Sequence, residues 1–326
     1  MRNQTNLYFS QMDFEFLMFL WRWKVATSKM FIEHFKSPKQ SGEWGIYKCL
    51  LRLAKRKFII KQTVMKPRPG FVWSLAERGF KIVATELPEL VEAGYKCENP
   101  AHDIFVTACH LGPFINNKEI SLYTEQEMRR INHSARPVFY PERLKHRPDG
   151  LISIKNGSDT KTTAIEVELT VKSRERYLES LELYGLSKGL SYVLWIVKDA
   201  QVFDVIWRAL KSVDFHAREL HQFVTLEDYL LHSLNAEIFA GTMRGQKVQS
   251  LCLPLEAHFH SSSVAPTWLR KNLIPLLDTR LKPIKSKVYE KKKKPSQPDC
   301  IPPIASIAST HPPISSTKEN LYVQNP

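Results

Sequence analysis

The 326-residue sequence has little that would support thiol, nucleotide or membrane chemistry. It has five cysteines, Cys49, Cys97, Cys109, Cys252 and Cys300, with no Cys-x-x-Cys among them. An odd, scattered set argues against a disulfide framework and a zinc cage, and fits reduced thiols in a cytoplasm. No glycine-rich loop is present to cradle a phosphate, so nucleotide hydrolysis is not expected. No serine or cysteine hydrolase triad can be assembled from anything distinctive. The most apolar early run, "FEFLMFLWRW", falls short of the roughly 20 residues that cross a bilayer and carries Glu15 and Arg22. It lacks the basic start and small-residue cleavage site of a signal peptide. These absences lead to the expectation of a cytoplasmic protein without membrane insertion.

Acidic residues are also in deficit, 33 against 47 Lys and Arg, for a net charge of +14. Such a balance points to a polyanionic partner, with nucleic acid first. The 43% apolar content is enough for two cores. Residues 1–95 read as three helices and a hairpin. Helical spacing runs from Asp13 to Lys24, a short helix follows Thr27 and Ser28 as caps, and Ser41 is placed to cap a third. In that third helix Ile46, Cys49, Leu50 and Leu53 form the buried stripe, while Lys48, Arg52 and Lys55 share another face. "FIIKQ" and "FVWSL" then read as strands around the turn "KPRPG". This is the layout of a winged helix-turn-helix, in which the third helix enters the major groove and the wing touches phosphate. Lys48, Arg52, Lys55, Arg56, Lys66 and Arg68 are the candidate contacts to double-stranded DNA.

A second domain is expected over 96–215, of α+β or α/β class. It includes the polar helix "TEQEMRRI", a hairpin within 149–170, a helix with Tyr177, Leu178, Leu181 and Tyr184 on one side and Gly185 as its stop, the covered strand "SYVLWIV" and the helix "AQVFDVIWRALKS". Residues 216–260 are expected to form a helical extension. Residues 261–326, rich in Pro, Ser and Lys with a run at Lys291–Lys294, are expected to be a disordered basic tail.

The informative stretch is "HRPDGLISIKNGSDTKTTAIEVELTVK". Alternate residues of a strand share a face. Glu166, Glu168, Thr170 and Lys172 would therefore point one way, and Ile165, Val167 and Leu169 into a core. A hairpin centred on "NGSD" sets Asp149 opposite Glu166, and sets Ile152 and Ile154 on the face of Ile165 and Val167. Opposed carboxylates repel and call for a cation between them. Mg²⁺ or Mn²⁺ suits such oxygen ligands. Asp149 and Glu166 are the expected ligands, Glu168 a further ligand or water-orienting base, and Lys172 a stabiliser of phosphate charge. The bland alternative is an acidic patch on a solvated hairpin.

"RPDG" followed by "AIEVELTVK" resembles the PD-(D/E)xK nuclease signature, with Glu168 where the lysine usually stands. The wider order, a "VWSLAERG" motif closing a winged helix, then "HD", "RPDG" and "EVELTVKSRERYLESLELY", is similar to the replication-relaxation family, which includes MobC-type plasmid mobilisation relaxases. The resemblance covers roughly residues 13–213. It implies a restriction-endonuclease-like core, metal-dependent nicking of DNA at a plasmid origin of transfer or replication, accessory mobilisation or coupling proteins as partners, and a helix glutamate, Glu125 or Glu127, assisting the metal. The rival reading is a DNA-binding replication or mobilisation factor whose nuclease fold is inactive. A tyrosine relaxase would need more than the His258–His260 pair, and end-cleaving transposon nucleases place the winged helix after the nuclease rather than before it.

Overall fold

Ser10 starts the first helix for a local reason. Its hydroxyl accepts from the Asp13 amide at 3.1 Å, and the Asp13 carboxylate accepts from the Ser10 amide at 3.1 Å, a reciprocal capping box. The computed structural model describes residues 9–35, 42–64, 70–87, 95–114, 120–129, 146–156, 159–187 and 189–252. Ser41, Lys66, Arg68, His258, His260 and the tail 261–326 lie outside the described residues.

The N-terminal elements are α1 (Gln11–Trp23), β1 (Val25–Thr27), α2 (Ser28–Phe35), α3 (Glu43–Lys55), β2 (Ile59–Val64), β3 (Gly70–Leu75) and α4 (Glu77–Val83). Thr27 caps α2 by accepting from the Met30 amide at 3.2 Å. Helix α3 buries Ile46, Cys49, Leu50 and Leu53, the stripe its periodicity predicts. It starts from Gly42, whose carbonyl accepts from the Gly45 and Ile46 amides. The hairpin β2–β3 forms with Ile59 opposite Leu75. The short strand β1, not foreseen in the sequence, adds to β3 and completes an antiparallel sheet of order β1-β3-β2.

The chain continues through α5 (Pro100–Phe114), β4 (Ile120–Thr124), α6 (Glu125–Met128), β5 (Gly150–Asn156), β6 (Asp159–Glu168), α7 (Arg174–Gly185), β7 (Tyr192–Val197), α8 (Ala200–Leu210), α9 (Phe215–Glu219), β8 (His221–Thr225), α10 (Leu226–His232) and α11 (Gln249–Cys252). Five strands make one mixed sheet of order β4-β5-β6-β7-β8. The first three are antiparallel neighbours; β6, β7 and β8 run parallel, joined by helical crossovers. The protein is therefore of mixed α+β class. Residues 216–252 are not purely helical as expected: β8 continues the sheet beside β7, because His221–Thr225 offers a backbone edge and a buried apolar pair, Phe223 and Val224.

Each strand of the centre is covered on both faces. Ile152, Ile154, Ile165, Val167, Leu194, Ile196 and Val224 face one core, and Leu151, Ala164, Val193, Trp195, Val197 and Phe223 the other. The first core continues without a break into Phe16, Leu20, Trp73 and the other buried residues of the N-terminal elements. The described residues accordingly form one compact unit. The Thr107 hydroxyl of α5 fastens the join, lying 3.2 Å from the carbonyls of both Trp23 and Val25. Among the described residues no helix is long and apolar enough to cross a membrane.

Two glycines are explained by close approach. Gly185, expected as a stop for α7, is its last residue, with Leu186 in the capping position. A Cβ at Gly185 would lie 2.8 Å from the Cβ of Ala217, so its smallness lets α9 approach α7. Gly150, beside Asp149, is pressed by the ring of buried His110, whose Nε2 would sit 2.0 Å from an added Cβ. Gly150→Ala must displace that ring within a filled core, and overpacking of this kind costs roughly 1–3 kcal/mol. A lowered urea midpoint is the expected outcome, and an unchanged midpoint would contradict the contact.

Candidate active site

The hairpin register brings the site together. Gly150 pairs with Ile165 and Ile152 with Thr163, so continuing the ladder by one residue sets Asp149 against Glu166. Asp149 then leaves the ladder, and its Oδ2 accepts from the Val167 amide at 2.8 Å. Glu166 and Glu168 project from the same face of β6 and are each only 3% exposed. They are not the wet face of a hairpin. The crossover helices α7 and α8 cover that face, which the spacing of β6 alone could not reveal.

The expected alternation stops at Glu168, the last residue of β6. Thr170, Val171 and Lys172 instead form a turn into α7. The Tyr177 hydroxyl accepts from the Lys172 amide at 3.2 Å and lies 3.4 Å from the Thr170 carbonyl, and Ser173 caps the helix. This turn swings Lys172 back so that its Nζ meets Glu168 Oε1 at 2.5 Å. All four expected residues are thus in one place, but Lys172 gets there by a bend rather than along the strand.

Three further side chains complete the site. His146 Nε2 donates to Glu166 Oε1 at 2.6 Å, and the hydroxyl of buried Tyr184 donates to the same oxygen. His102, on α5, donates from Nε2 to the Val167 carbonyl at 2.9 Å and lies 3.7 Å from Asp149 Oδ2. Its Nδ1 is 3.5 Å from Asp103. The signals were partly present in the sequence: His102 belongs to the "HD" pair, His146 opens the quoted stretch, and Tyr184 sits in the helical stripe read as core. None of these patterns says which way a ring points.

Burial of so many charges sets their protonation. For Glu166, burial alone would favour the neutral form, but His146, Tyr184 and Lys172 outweigh it and hold the carboxyl below its usual range. Glu168 moves the other way, because burial exceeds the pull of Lys172 and Glu166 adds repulsion. Burial would lower Lys172, yet Glu168 and Glu166 raise it. Burial would likewise lower His102, but Asp103, Asp149 and the Val167 carbonyl carry it up to about 9, so the ring is an imidazolium at neutral pH.

The N-terminal elements also contribute charge. Lys24, at the end of α1 with φ 61° and ψ −44°, occupies a backbone conformation that costs an L residue energy. Its ammonium bonds to Glu125 and lies 3.8 Å from Asp103. Glu125 also holds Arg129 at 2.6 Å, while Glu127 caps its own helix and pairs with Arg22 Nε at 3.0 Å. Both glutamates are half-buried and committed to ion pairs.

On α3, Lys48 and Lys55 are exposed, with Lys48 Nζ 5.4 Å from the Trp44 ring and Trp44 itself 64% exposed. Arg56 stands over the rings of Phe9 and Phe58. Arg52 is half exposed but paired: its guanidinium meets Asp13 Oδ1 at 2.5 Å, and Asp13 is 1% exposed.

Asp149 and Glu166 supply carboxylate oxygens, the donor type of Mg²⁺, which commonly takes one or two carboxylates with water and substrate phosphate and would be held through them. No group of three or more His, Cys, Asp or Glu side chains is pre-arranged around a metal position among the described residues. The ion would thus depend on water and substrate for its remaining ligands.

Two outcomes follow. Burial, reinforced by Glu166 and Glu168 against the pull of His102, raises the Asp149 carboxyl to about 7. In the unfolded chain an aspartate titrates near about 3.9. Between those values the folded protein holds a proton that the unfolded chain releases, so this contribution to stability is complete below about pH 4 and is lost as the pH rises through about 7. In EDTA, wild-type stability should fall from pH 4 to 8 relative to Asp149→Asn, by roughly 1–3 kcal/mol. Parallel urea-midpoint profiles would contradict this. Separately, Arg52→Ala leaves the buried Asp13 without its cation and should cost about 1–3 kcal/mol, while Lys48→Ala should leave the midpoint unchanged. Equal effects would contradict the pairing role of Arg52.

Compared with protein-family models, with curated proteins and with solved structures, the chain has no match.

Proposed function

We propose that the protein is a metal-dependent DNA endonuclease that nicks and relaxes plasmid DNA at an origin of transfer or replication, a relaxase of the replication-relaxation, MobC-like type. The observation that carries the reading is the opposition of Asp149 and Glu166 at one end of the β5–β6 hairpin, with Glu166 and Glu168 buried and Lys172 paired to Glu168. The order α5-β4-α6-β5-β6-α7-β7, three antiparallel strands and a crossover to a parallel fourth, supports a restriction-endonuclease-like PD-(D/E)xK core. The order α1-β1-α2-α3-β2-β3 supports a winged helix-turn-helix ahead of it. Lys48 and Lys55 on the open face of α3, with Arg56 near its end, would approach the DNA. Lys66 and Arg68 of the wing would meet phosphate.

Asp149 and Glu166 would hold Mg²⁺ or Mn²⁺, which supplies Lewis-acid polarisation of the scissile phosphodiester. The chain's own groups then have distinct tasks. His146 and Tyr184 both hydrogen-bond Oε1 of Glu166, so its other oxygen would be the one to hold the ion. Glu168, whose affinity for a proton is raised by burial, would orient water or take up a proton as a carboxylate. The Lys172 ammonium would stabilise charge gathering on the attacked phosphate.

The second reading is a DNA-binding replication or mobilisation factor without cleavage. The Lys172–Glu168 ion pair favours it, because an ammonium satisfied by a carboxylate at 2.5 Å is not free to meet a phosphate.

Supercoiled DNA carrying a plasmid origin region should be converted to open circles with Mg²⁺ or Mn²⁺ and not with EDTA. Asp149→Ala and Glu166→Ala should each lower the rate by at least about 100-fold, the scale of losing a group that acts in the transition state, while DNA binding persists. Tight binding without conversion would overturn the nuclease and leave the binding factor.

A further inference from the structure

Between the N-terminal elements and α6 lies a cavity of about 540 Å³ that the nicking reading leaves without a role. Its size falls within the range of about 300–1,000 Å³ typical of small-molecule sites. Phe80 of α4 and Tyr95 give it an aromatic wall, stacked on each other with centroids 4.5 Å apart and planes at 11°. The charges of its described lining cancel: Lys24, Lys96 and Arg129 stand against Glu98, Asp103 and Glu125. A free polyphosphate would need a surplus of cations, whereas a neutral, planar heterocycle needs none.

Gln126 adds a direction. It lines the cavity at 2% exposure, and its side-chain carbonyl oxygen has no hydrogen-bond partner among the described residues. A buried acceptor in that state carries an uncompensated desolvation cost, which a donor N–H on a ligand would relieve. The cavity also borders the candidate site. A void of about 20 Å³ beside it is lined by Asp149 together with Lys24, Asp103, Glu125 and Gln126, four side chains it shares with the larger cavity.

We propose that this cavity receives one unpaired nucleobase, stacked against the Phe80–Tyr95 wall with an exocyclic amino group donating to Gln126. The inference rests on the nuclease reading for the source of the base: a strand presented to Asp149 and Glu166 with one nucleotide turned out of its stack. Stacking on an aromatic face is favourable for any base, and extrusion costs least where the strand is already single or distorted. The substrate class that fits is single-stranded or locally opened DNA at the nick, not a continuous duplex.

The test uses the full chain with deoxyadenosine monophosphate, its N6,N6-dimethyl analogue, a single-stranded oligonucleotide containing deoxyadenosine, and a fully paired hairpin. Binding of the monophosphates is followed by saturation-transfer NMR. Wild-type protein should bind the dimethyl analogue, which has no amino donor, at least tenfold more weakly. Gln126→Leu should shrink that ratio to within twofold, and Tyr95→Ala should weaken both ligands. The single strand should displace the monophosphate, and the hairpin should not.

No monophosphate binding, or equal binding of the two monophosphates to wild-type protein, would overturn the pocket, and neither result depends on a variant that folds. An undiminished ratio in folded Gln126→Leu would overturn the role of Gln126. Failure of the single strand to displace the monophosphate would overturn a base drawn from DNA in favour of a free nucleotide. Plasmid nicking measured on the same preparation separates the two claims. Nicking without nucleobase binding removes the pocket and leaves the nuclease, and nucleobase binding without nicking does the reverse.

Discussion

Burying Glu166 and Glu168 on the covered face of a sheet, one residue from a third carboxylate, is the constraint on which the rest of the structure turns. Unpaired, such charges would cost several kcal/mol each. The fold answers with cations and donors from elements far apart in sequence: His102 from α5, His146 ahead of β5, Lys172 from the turn after β6, and Tyr184 from α7. Every one of these elements must be in place before the carboxylates are tolerated. The site is therefore a consequence of the whole sheet-and-helix arrangement, not of the hairpin alone.

The same logic ties the N-terminal elements to the sheet. Arg22 and Lys24 leave the end of α1 to meet Glu127 and Glu125, and Arg22 donates to the Leu122 carbonyl at 2.9 Å. Thr107 reaches back to the Trp23 and Val25 carbonyls, and one hydrophobic core runs through both halves. A positive φ at Lys24 is sustained because its ammonium has partners waiting. The N-terminal elements are thus joined to the carboxylate-bearing sheet through a shared core and ion pairs, not through a linker.

Much of this could be read from residue order. Two periodicities located the α3 stripe and the two faces of β6, and the "NGSD" turn set the register that brings Asp149 to Glu166. Local rules failed where distant contacts took over. Lys172 leaves the strand because Tyr177 and Ser173 organise a helix start there. Arg52 looks like a surface cation by spacing, but a buried Asp13 from another helix claims it. Strands β1 and β8 are three and five residues long, and pairing with an existing edge defines them better than their own composition does. His102 lies 65 residues from the carbonyl it bonds, a distance no pattern of neighbours encodes.

The proposed nuclease requires that Asp149 and Glu166 together hold one divalent cation. Counting bound Mn²⁺ by electron paramagnetic resonance, on the wild-type chain and on Asp149→Asn and Glu166→Gln, addresses it without any assumption about the DNA sequence cut. One bound ion per wild-type chain is expected, displaced by Mg²⁺ and lost in both variants while the fold persists. A wild-type chain that binds no Mn²⁺, or variants that bind it equally well, would contradict it.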